Sequence, residues 1–166
     1  QIIGAGSNLL INNIFIKGLV VCTKKMKSLT IEPYSGIVEA EAGVMLPTLS
    51  NALAKNGLKG GEWAVGIPGT LGGAIYMNAG TGNLSLAKNL ISVKVINNKT
   101  HEKLEIEKKD INFEYRFSSF QKNDLTIISA RLHFEPNGNL KQLIQTTKNN
   151  LKFKDRKSTR LNSSHR

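Results

Sequence analysis

Residues 66–80 read GIPGTLGGAIYMNAG, and no other stretch restricts the fold as much. Residues 57–83 hold nine of the chain's fifteen glycines. Inside a helix each glycine costs about 1 kcal/mol relative to alanine, so the segment cannot be one long regular element. Glycine is retained where another backbone or a ligand comes close. Thr70 can N-cap a short helix over LGGAIYMN. The segment therefore reads as a loop running into a helix start, pressed against a partner.

The flanking pattern supplies strands and two longer helices. QII, LVVCT, LTIEP and IVEAEAG in residues 1–44 are β-branched or alternating, with turn residues between them. LPTLSNALAKN (46–56) reads as a helix: Pro47 suits its first turn, and Leu46, Leu49, Leu53 and Ala54 share a face. Gly57 stands where a left-handed C-cap residue is wanted. LISVKVIN, KLEIE and LTIISARLHF (125–134) read as strands, and the mixed, aromatic DINFEYRFSSF lies before the last of them. Residues 140–153 read as an amphipathic helix with Leu140, Leu143, Ile144 and Leu151 on its apolar face.

Composition excludes several classes. At 40% hydrophobic and 21% charged residues, 166 residues build a packed core rather than a disordered chain. No apolar run approaches the roughly 20 residues of a membrane helix, so no membrane partner is expected. The opening QIIGAGSNLL lacks a basic n-region and an initiator Met, and reads as mid-strand, with an upstream segment expected. Cys22 is the only cysteine; it has no disulfide partner and no zinc set, and within GLVVCTK it reads as a buried strand residue suited to a reducing cytoplasm. No metal site is expected. The net charge of +11 raises nucleic acid as a partner, but the lysines are scattered and 6% aromatics offer few stacking platforms. A solvated lysine-rich surface is the better reading. The last residues, STRLNSSHR (158–166), have no hydrophobic period and read as a non-native tail.

Two glycine loops carry the chemistry: GAGSN (4–8) and GIPGTLGGA (66–74). Each follows an apolar run, and successive N–H groups of such loops can point at an anion. Ser7, Asn8 and Thr70 add side-chain donors, and a helix opening at Thr70 adds a favourable dipole. A pyrophosphate held between the loops fits. GAGSNL lacks the third glycine of the dinucleotide motif, and no phosphate-binding P-loop sequence occurs, so a pair of tight turns stands beside this reading on equal terms. Arg116, in EYRFSSF, sits between aromatics, where a guanidinium can grip a carboxylate, although composition alone favours an ordinary surface arginine. His101 reads as a solvated hairpin tip, His133 as structural, and Glu62 as a loop-orienting acid. Glu102, Glu105 and Glu107 read as a solvent face.

GAGSNLLI, GIPGTLGGAIYMNAG and YRFSSF, in this order and spacing, resemble the UDP-N-acetylenolpyruvoylglucosamine reductase (MurB) family, from Gln1 to about Lys157. The resemblance implies an FAD-binding fold of the vanillyl-alcohol oxidase and para-cresol methylhydroxylase (PCMH) type, with two α+β subdomains. These would span about residues 1–57 and 58–135, and residues 136–157 would lead as a helix towards a substrate-binding domain. By position, Gly4, Gly6, Ser7 and Asn8 would line FAD on one side. Gly66, Pro68, Gly69, Thr70, Gly72, Gly73, Asn78, Ala79 and Gly80 would form the other wall. The implied reaction uses NADPH and FAD to reduce the enolpyruvyl double bond of UDP-N-acetylenolpyruvoylglucosamine, giving UDP-N-acetylmuramate for peptidoglycan. The family's arginine, here Arg116, stabilises the charge that develops on the carboxylate-conjugated carbon, and Tyr115 and Arg116 would contact substrate. The family's proton-donating serine, its later glutamate and its third domain have no counterpart in this sequence, so the chain by itself is expected to lack turnover. A PCMH-type oxidase of a small alcohol or hydroxy acid, and a basic nucleic-acid-binding module, are the alternatives.

Overall fold

The computed structural model describes residues 1–11 and 17–163, with side chains placed as far as Lys154. The end of the expected tail, residues 164–166, lies outside them, as do all side chains from 155 onward.

The chain opens with β1 (Ile2–Ile3) and β2 (Val21–Cys22), which pair in parallel, Ile2 opposite Val21 and Ile3 opposite Cys22. Then come β3 (Leu29–Glu32), β4 (Ile37–Glu41), α1 (Leu46–Lys55) and α2 (Leu71–Tyr76). A short hairpin follows, β5 (Gly80–Thr81) and β6 (Leu84–Ser85). Next are β7 (Leu90–Asn97), β8 (Lys103–Glu107), a second short hairpin β9 (Phe113–Glu114) and β10 (Phe117–Ser118), β11 (Leu125–His133), and α3 (Leu140–Ser163).

Five strands form one antiparallel sheet in the order β3-β4-β11-β7-β8. Ala130 of β11 lies between Ala40 and Val93, and Leu132 between Val38 and Leu90. These residues, with Val95, form the buried face. The alternate positions Glu39, Lys94, Glu105 and Arg131 turn to the other side, so the sheet is covered on one face only. The sheet joins strands from both sides of the expected subdomain boundary near residue 57, because β11 returns to pair with β4 as well as β7.

The pairing of β11 with β7 shifts register between Ile127 and Ser129. Ile128, in the bulge, accepts the N–H of Ala42 at 2.7 Å, and Ala42 in turn accepts the N–H of Gly72 at 2.8 Å. The bulge thus ties the end of β4 to the first turn of α2, which is how the sheet positions the glycine segment.

α1 buries Leu46, Leu49, Leu53 and Ala54, the face the spacing predicts, and Pro47 stands in its first turn. Gly57 follows with φ +72°, the left-handed stop. α2 lies on β4 and β11 through Leu71, Ala74 and Ile75. Fully burying each such leucine or isoleucine stabilises the fold by about 1.5–3 kcal/mol.

α3 departs from expectation in two ways. It runs to Ser163, because no glycine or proline interrupts it after Leu140. It also uses only part of the expected face, with Leu143 buried and Ile144 partly buried. Leu140 and Leu151 are exposed, whereas Leu143 and Thr147 are buried and Asn150 and Lys154 are partly covered. The spacing of those four residues makes one stripe, and that stripe packs on α1 and on residues 62–66. Part of the partner is polar backbone, as when Asn150 Nδ2 donates to Glu62 O at 3.1 Å, so a purely apolar face is not selected.

Cys22 is a further correction: it is exposed rather than buried. The β1–β2 ribbon has only two strands, too few to bury Val21 or Cys22, although Cys22 Sγ reaches Gly4 O at 3.5 Å. His101, at φ +61°, is exposed at the β7–β8 hairpin tip as expected.

Candidate functional site

The loop after β1 and the loop before α2 meet at one point. A Cβ on Gly4 would overlap Thr70 Oγ1 and lie 3.3 Å from Thr70 Cβ. Thr70 is buried, and its Oγ1 accepts the N–H of Gly73 at 3.4 Å, the helix cap the sequence predicts. Beyond this contact the loops part. Gly6 takes φ +73° and has open space where a Cβ would stand, and a Cβ on Gly69 would meet only Ser7 Oγ, at 3.4 Å. The N–H groups of Gly6, Ser7, Asn8, Gly69 and Thr70 make no hydrogen bond to other described residues. Backbone donors left free in this way are available to an anion.

Between the loops runs a cleft of about 740 Å³, within the range of small-molecule and cofactor sites. Its floor is apolar, with Ile3, Ala42, Leu46 and Ile127. The donor-rich loops, the apolar floor and the size fit a long, partly aromatic diphosphate such as FAD. Gly4, Gly6, Ser7 and Asn8 line one wall, and Pro68, Gly69, Thr70, Gly72, Gly73 and Ala79 line the other.

Arg116 reaches the same cleft from the β9–β10 hairpin. Tyr115 and Arg116 form its two-residue turn, and Arg116 holds φ +57°. The left-handed region costs a side chain with a Cβ about 1–2 kcal/mol, so the surrounding structure must enforce it. Three side chains do so. Buried Ser118 donates from Oγ to Tyr76 O at 2.7 Å. Gln121 Nε2 donates to Tyr76 O at 2.9 Å and to Arg116 O at 3.2 Å. Asn78 Nδ2 donates to Glu114 O at 2.8 Å. The hairpin is therefore bolted to the C-terminal end of α2. Tyr115 is exposed, and its ring lies 5.5 Å from the Arg116 guanidinium carbon.

Four of the expected site residues do not line the cleft. Gly66 carries the stem of Lys154 where its Cβ would be. Gly80 packs against Leu84 O in the β5–β6 hairpin, where a Cβ would collide with backbone. Asn78 spends its Nδ2 on the β9–β10 hairpin, and its buried Oδ1 has no partner among the described residues. Tyr115 stands beside Arg116, outside the lining. Gly72 does line it, but its closest constraint is Ala42, whose Cβ would lie 2.9 Å from an added Cβ. Conversely, Asn98, Gln121, Asn123 and Thr126 line the cleft and carry no sequence signal, because they reach it only through sheet register and the turn before β11. Lys154 was missed as well. Burial, and then the Arg116 charge, lower its pKa from the ordinary lysine value.

The pattern of a family described as an FAD binding domain matches residues 1–102, more than half of the sequence. The chain belongs to this family of FAD-binding domains. FAD is its cofactor, as the resemblance implied. The matched span holds both loops, and the Arg116 hairpin and α3 lie beyond it. The chain is 71% identical over 154 residues to the UDP-N-acetylenolpyruvoylglucosamine reductase of Prochlorococcus marinus subsp. pastoris, covering 93% of this chain and 52% of that protein. It is 41% identical to the reductase of the same name from Synechococcus elongatus, covering 95% of this chain and 51% of that protein. It thus spans about half the length of the curated relatives it matches.

Among solved structures, the reductase (MurB) from Thermus caldophilus matches with TM-score 0.76 and 26% identity, over 96% of this chain and 55% of that one. An alkyldihydroxyacetonephosphate synthase matches at TM-score 0.57 and 16% identity, over 81% of this chain and 27% of that one, which speaks for the fold alone. The α+β FAD-binding fold expected from the sequence is therefore the fold observed. No helix among the described residues is long and apolar enough to cross a membrane. Nor do the described residues contain a group of three His, Cys, Asp or Glu able to hold a metal ion.

Proposed function

We propose that this chain is the FAD-binding portion of a UDP-N-acetylenolpyruvoylglucosamine reductase, which reduces the enolpyruvyl double bond with NADPH as electron donor and acts in the cytoplasm in peptidoglycan synthesis. One observation carries the reading. Two loops whose N–H groups make no hydrogen bond among the described residues face each other over a cleft of about 740 Å³, and Arg116, in a left-handed turn, enters the same cleft. The names of the similar reductases support the substrate and the reaction.

FAD held in the cleft, once reduced by NADPH, would supply the hydride that saturates the double bond. The residues of this chain bind and orient. Gly6, Ser7, Asn8, Gly69 and Thr70 present N–H groups to the diphosphate. Ile3, Leu46 and Ile127 cover apolar surface and exclude water. Arg116 directs a fixed cation at the substrate carboxylate, where charge grows as hydride adds to the conjugated double bond. Its guanidinium is held before substrate arrives, because Ser118, Gln121 and Asn78 fix the turn that carries it. Tyr115 supports that guanidinium from its exposed side.

The nucleic-acid reading gains nothing from the structure, and the oxidase reading leaves the Arg116 hairpin without a task. The test is flavin retention. The protein is mixed with FAD, freed of excess and read in the visible range. A folded protein is expected to keep flavin bands with shifted, structured peaks. A protein that is folded by circular dichroism yet keeps no flavin would refute the proposal.

A further inference from the structure

Beyond the two loops and the Arg116 hairpin, one corner of the cleft is polar. Asn98, Asn123 and Thr126 line it, and the function proposed above gives them no task. The corner forms where the end of β7 meets the start of β11. Its centre is the Asn98 side chain. Asn98 Nδ2 donates to Asp124 Oδ1 at 2.9 Å, and Thr126 Oγ1 donates to Asn98 Oδ1 at 2.6 Å. The Asn98 backbone N–H donates to Asp124 O at 2.9 Å. These partners fix which way the amide points. A carboxylate only accepts, so the amide nitrogen must face Asp124 and the amide oxygen the Thr126 hydroxyl. Each end of the amide then keeps one site: an N–H on Nδ2 and a lone pair on Oδ1. Asn98 is exposed, so both sites are open to a ligand.

The corner connects to the first turn of α2. Ile128, two residues after Thr126, accepts the N–H of Ala42, and Ala42 accepts the N–H of Gly72. Arg116 is tied to the other end of α2, because Gln121 Nε2 bridges Arg116 O and Tyr76 O. A dinucleotide whose diphosphate sits on the loops at the first turn of α2 has two ends to place. The flavin ring belongs with Arg116, where the reaction needs it, and this leaves the adenine for the Asn98 corner. Buried Ile127 lines the cleft beside Thr126 and offers an apolar surface to a ring face. Adenine carries an acceptor, N7, next to a donor, the 6-amino group, and an asparagine amide meets the two together.

We propose that Asn98 reads the adenine edge of FAD with its remaining N–H and lone pair, and that Thr126 is the positioning residue that holds the amide; the inference rests on the reading of the cleft as the FAD site. Asn98 thereby selects FAD over flavins that carry another base or none.

The test uses the full-length protein that carries this sequence, stripped of flavin. Binding is followed by flavin absorbance for FAD, for flavin hypoxanthine dinucleotide and for FMN. The hypoxanthine analogue has a 6-oxo acceptor in place of the 6-amino donor, and an amide fixed by Asp124 and Thr126 cannot turn to suit it. FMN has no purine. The wild type is expected to prefer FAD to the analogue by about ten-fold or more. Asn98→Ala should abolish that preference by weakening FAD, with FMN unchanged. Thr126→Val keeps the shape and removes the hydroxyl; it should lose part of the preference, and it carries the test if the alanine variant does not fold. Equal weakening of all three flavins, or an unchanged preference for FAD, overturns the proposal. An unchanged preference together with weaker binding of UDP gives the amide to the uracil of the substrate, and overturns it too. A folded wild type that binds none of the flavins overturns the FAD site itself, and this inference with it.

Discussion

Gly4→Ala tests whether the two glycine loops form one wall-to-wall contact. The new Cβ would overlap Thr70 Oγ1 and stand 3.3 Å from Thr70 Cβ and 3.4 Å from Thr70 Cγ2. Thr70 is 1% exposed and cannot swing into solvent. Overpacking of this kind costs about 1–3 kcal/mol. If Thr70 turns aside, the cap on Gly73 is lost as well, worth about 1 kcal/mol. The expected loss for Gly4→Ala is therefore about 2–3 kcal/mol. Thr70→Ala alone should cost about 1 kcal/mol, since it removes the cap and leaves no clash. In the double variant the overlapping oxygen is gone, so the loss should stay near that of Thr70→Ala. The coupling is then about 2 kcal/mol, well above the roughly 0.5 kcal/mol scatter of independent sites. Urea unfolding followed by circular dichroism gives all four stabilities, provided the slope with denaturant stays constant. Gly6→Ala is the control: open space surrounds it, and only its φ of +73° strains, so its loss should not depend on Thr70. Additive losses at Gly4 and Thr70 would refute the contact.

Two further outcomes follow from the Arg116 hairpin. Arg116→Gly removes about 1–2 kcal/mol of left-handed strain and adds about 0.4–1 kcal/mol of unfolded-state freedom, so stability should hold or rise slightly. Turnover of the full-length protein should nonetheless fall by about a hundred-fold or more; a large stability loss in thermal unfolding would contradict the strain argument. For Lys154, burial and Arg116 place the folded pKa below the unfolded one, so the unfolded chain binds its proton more readily between the two values. The destabilising contribution is full below the folded pKa and fades as pH rises towards the ordinary lysine value. Lys154→Met should therefore be the more stable protein near neutrality, with the gap closing in alkali; parallel stability–pH curves would refute this.

Much of the fold was legible locally. The strands β7, β8 and β11 stand where alternation places them, α1 buries the four residues its period selects, and Thr70 and Gly57 cap the helices they precede and follow. These features depend on neighbours within one turn or one strand, so a short window of sequence contains the whole cause. α3 was harder. Its apolar residues suggested one face, and its actual partner, the backbone of residues 62–66, selected a stripe that keeps Leu143 and leaves Leu140 and Leu151 exposed.

The site divides in the same way. The sequence by itself determined that two glycine loops exist, that each can bring free N–H groups to an anion, and that an arginine flanked by aromatics follows them. Tertiary structure alone decided what each glycine is for. Gly6 opens on the cleft, Gly72 makes room for Ala42, Gly80 for Leu84 and Gly66 for Lys154. It also decided that Ser118, Gln121 and Asn78 would hold Arg116 in a left-handed turn, and that the Lys154 stem would lie along Gly66. The reason is physical. A glycine records that something comes close, but the thing that comes close sits tens of residues away. Only sheet register and helix docking bring the two together.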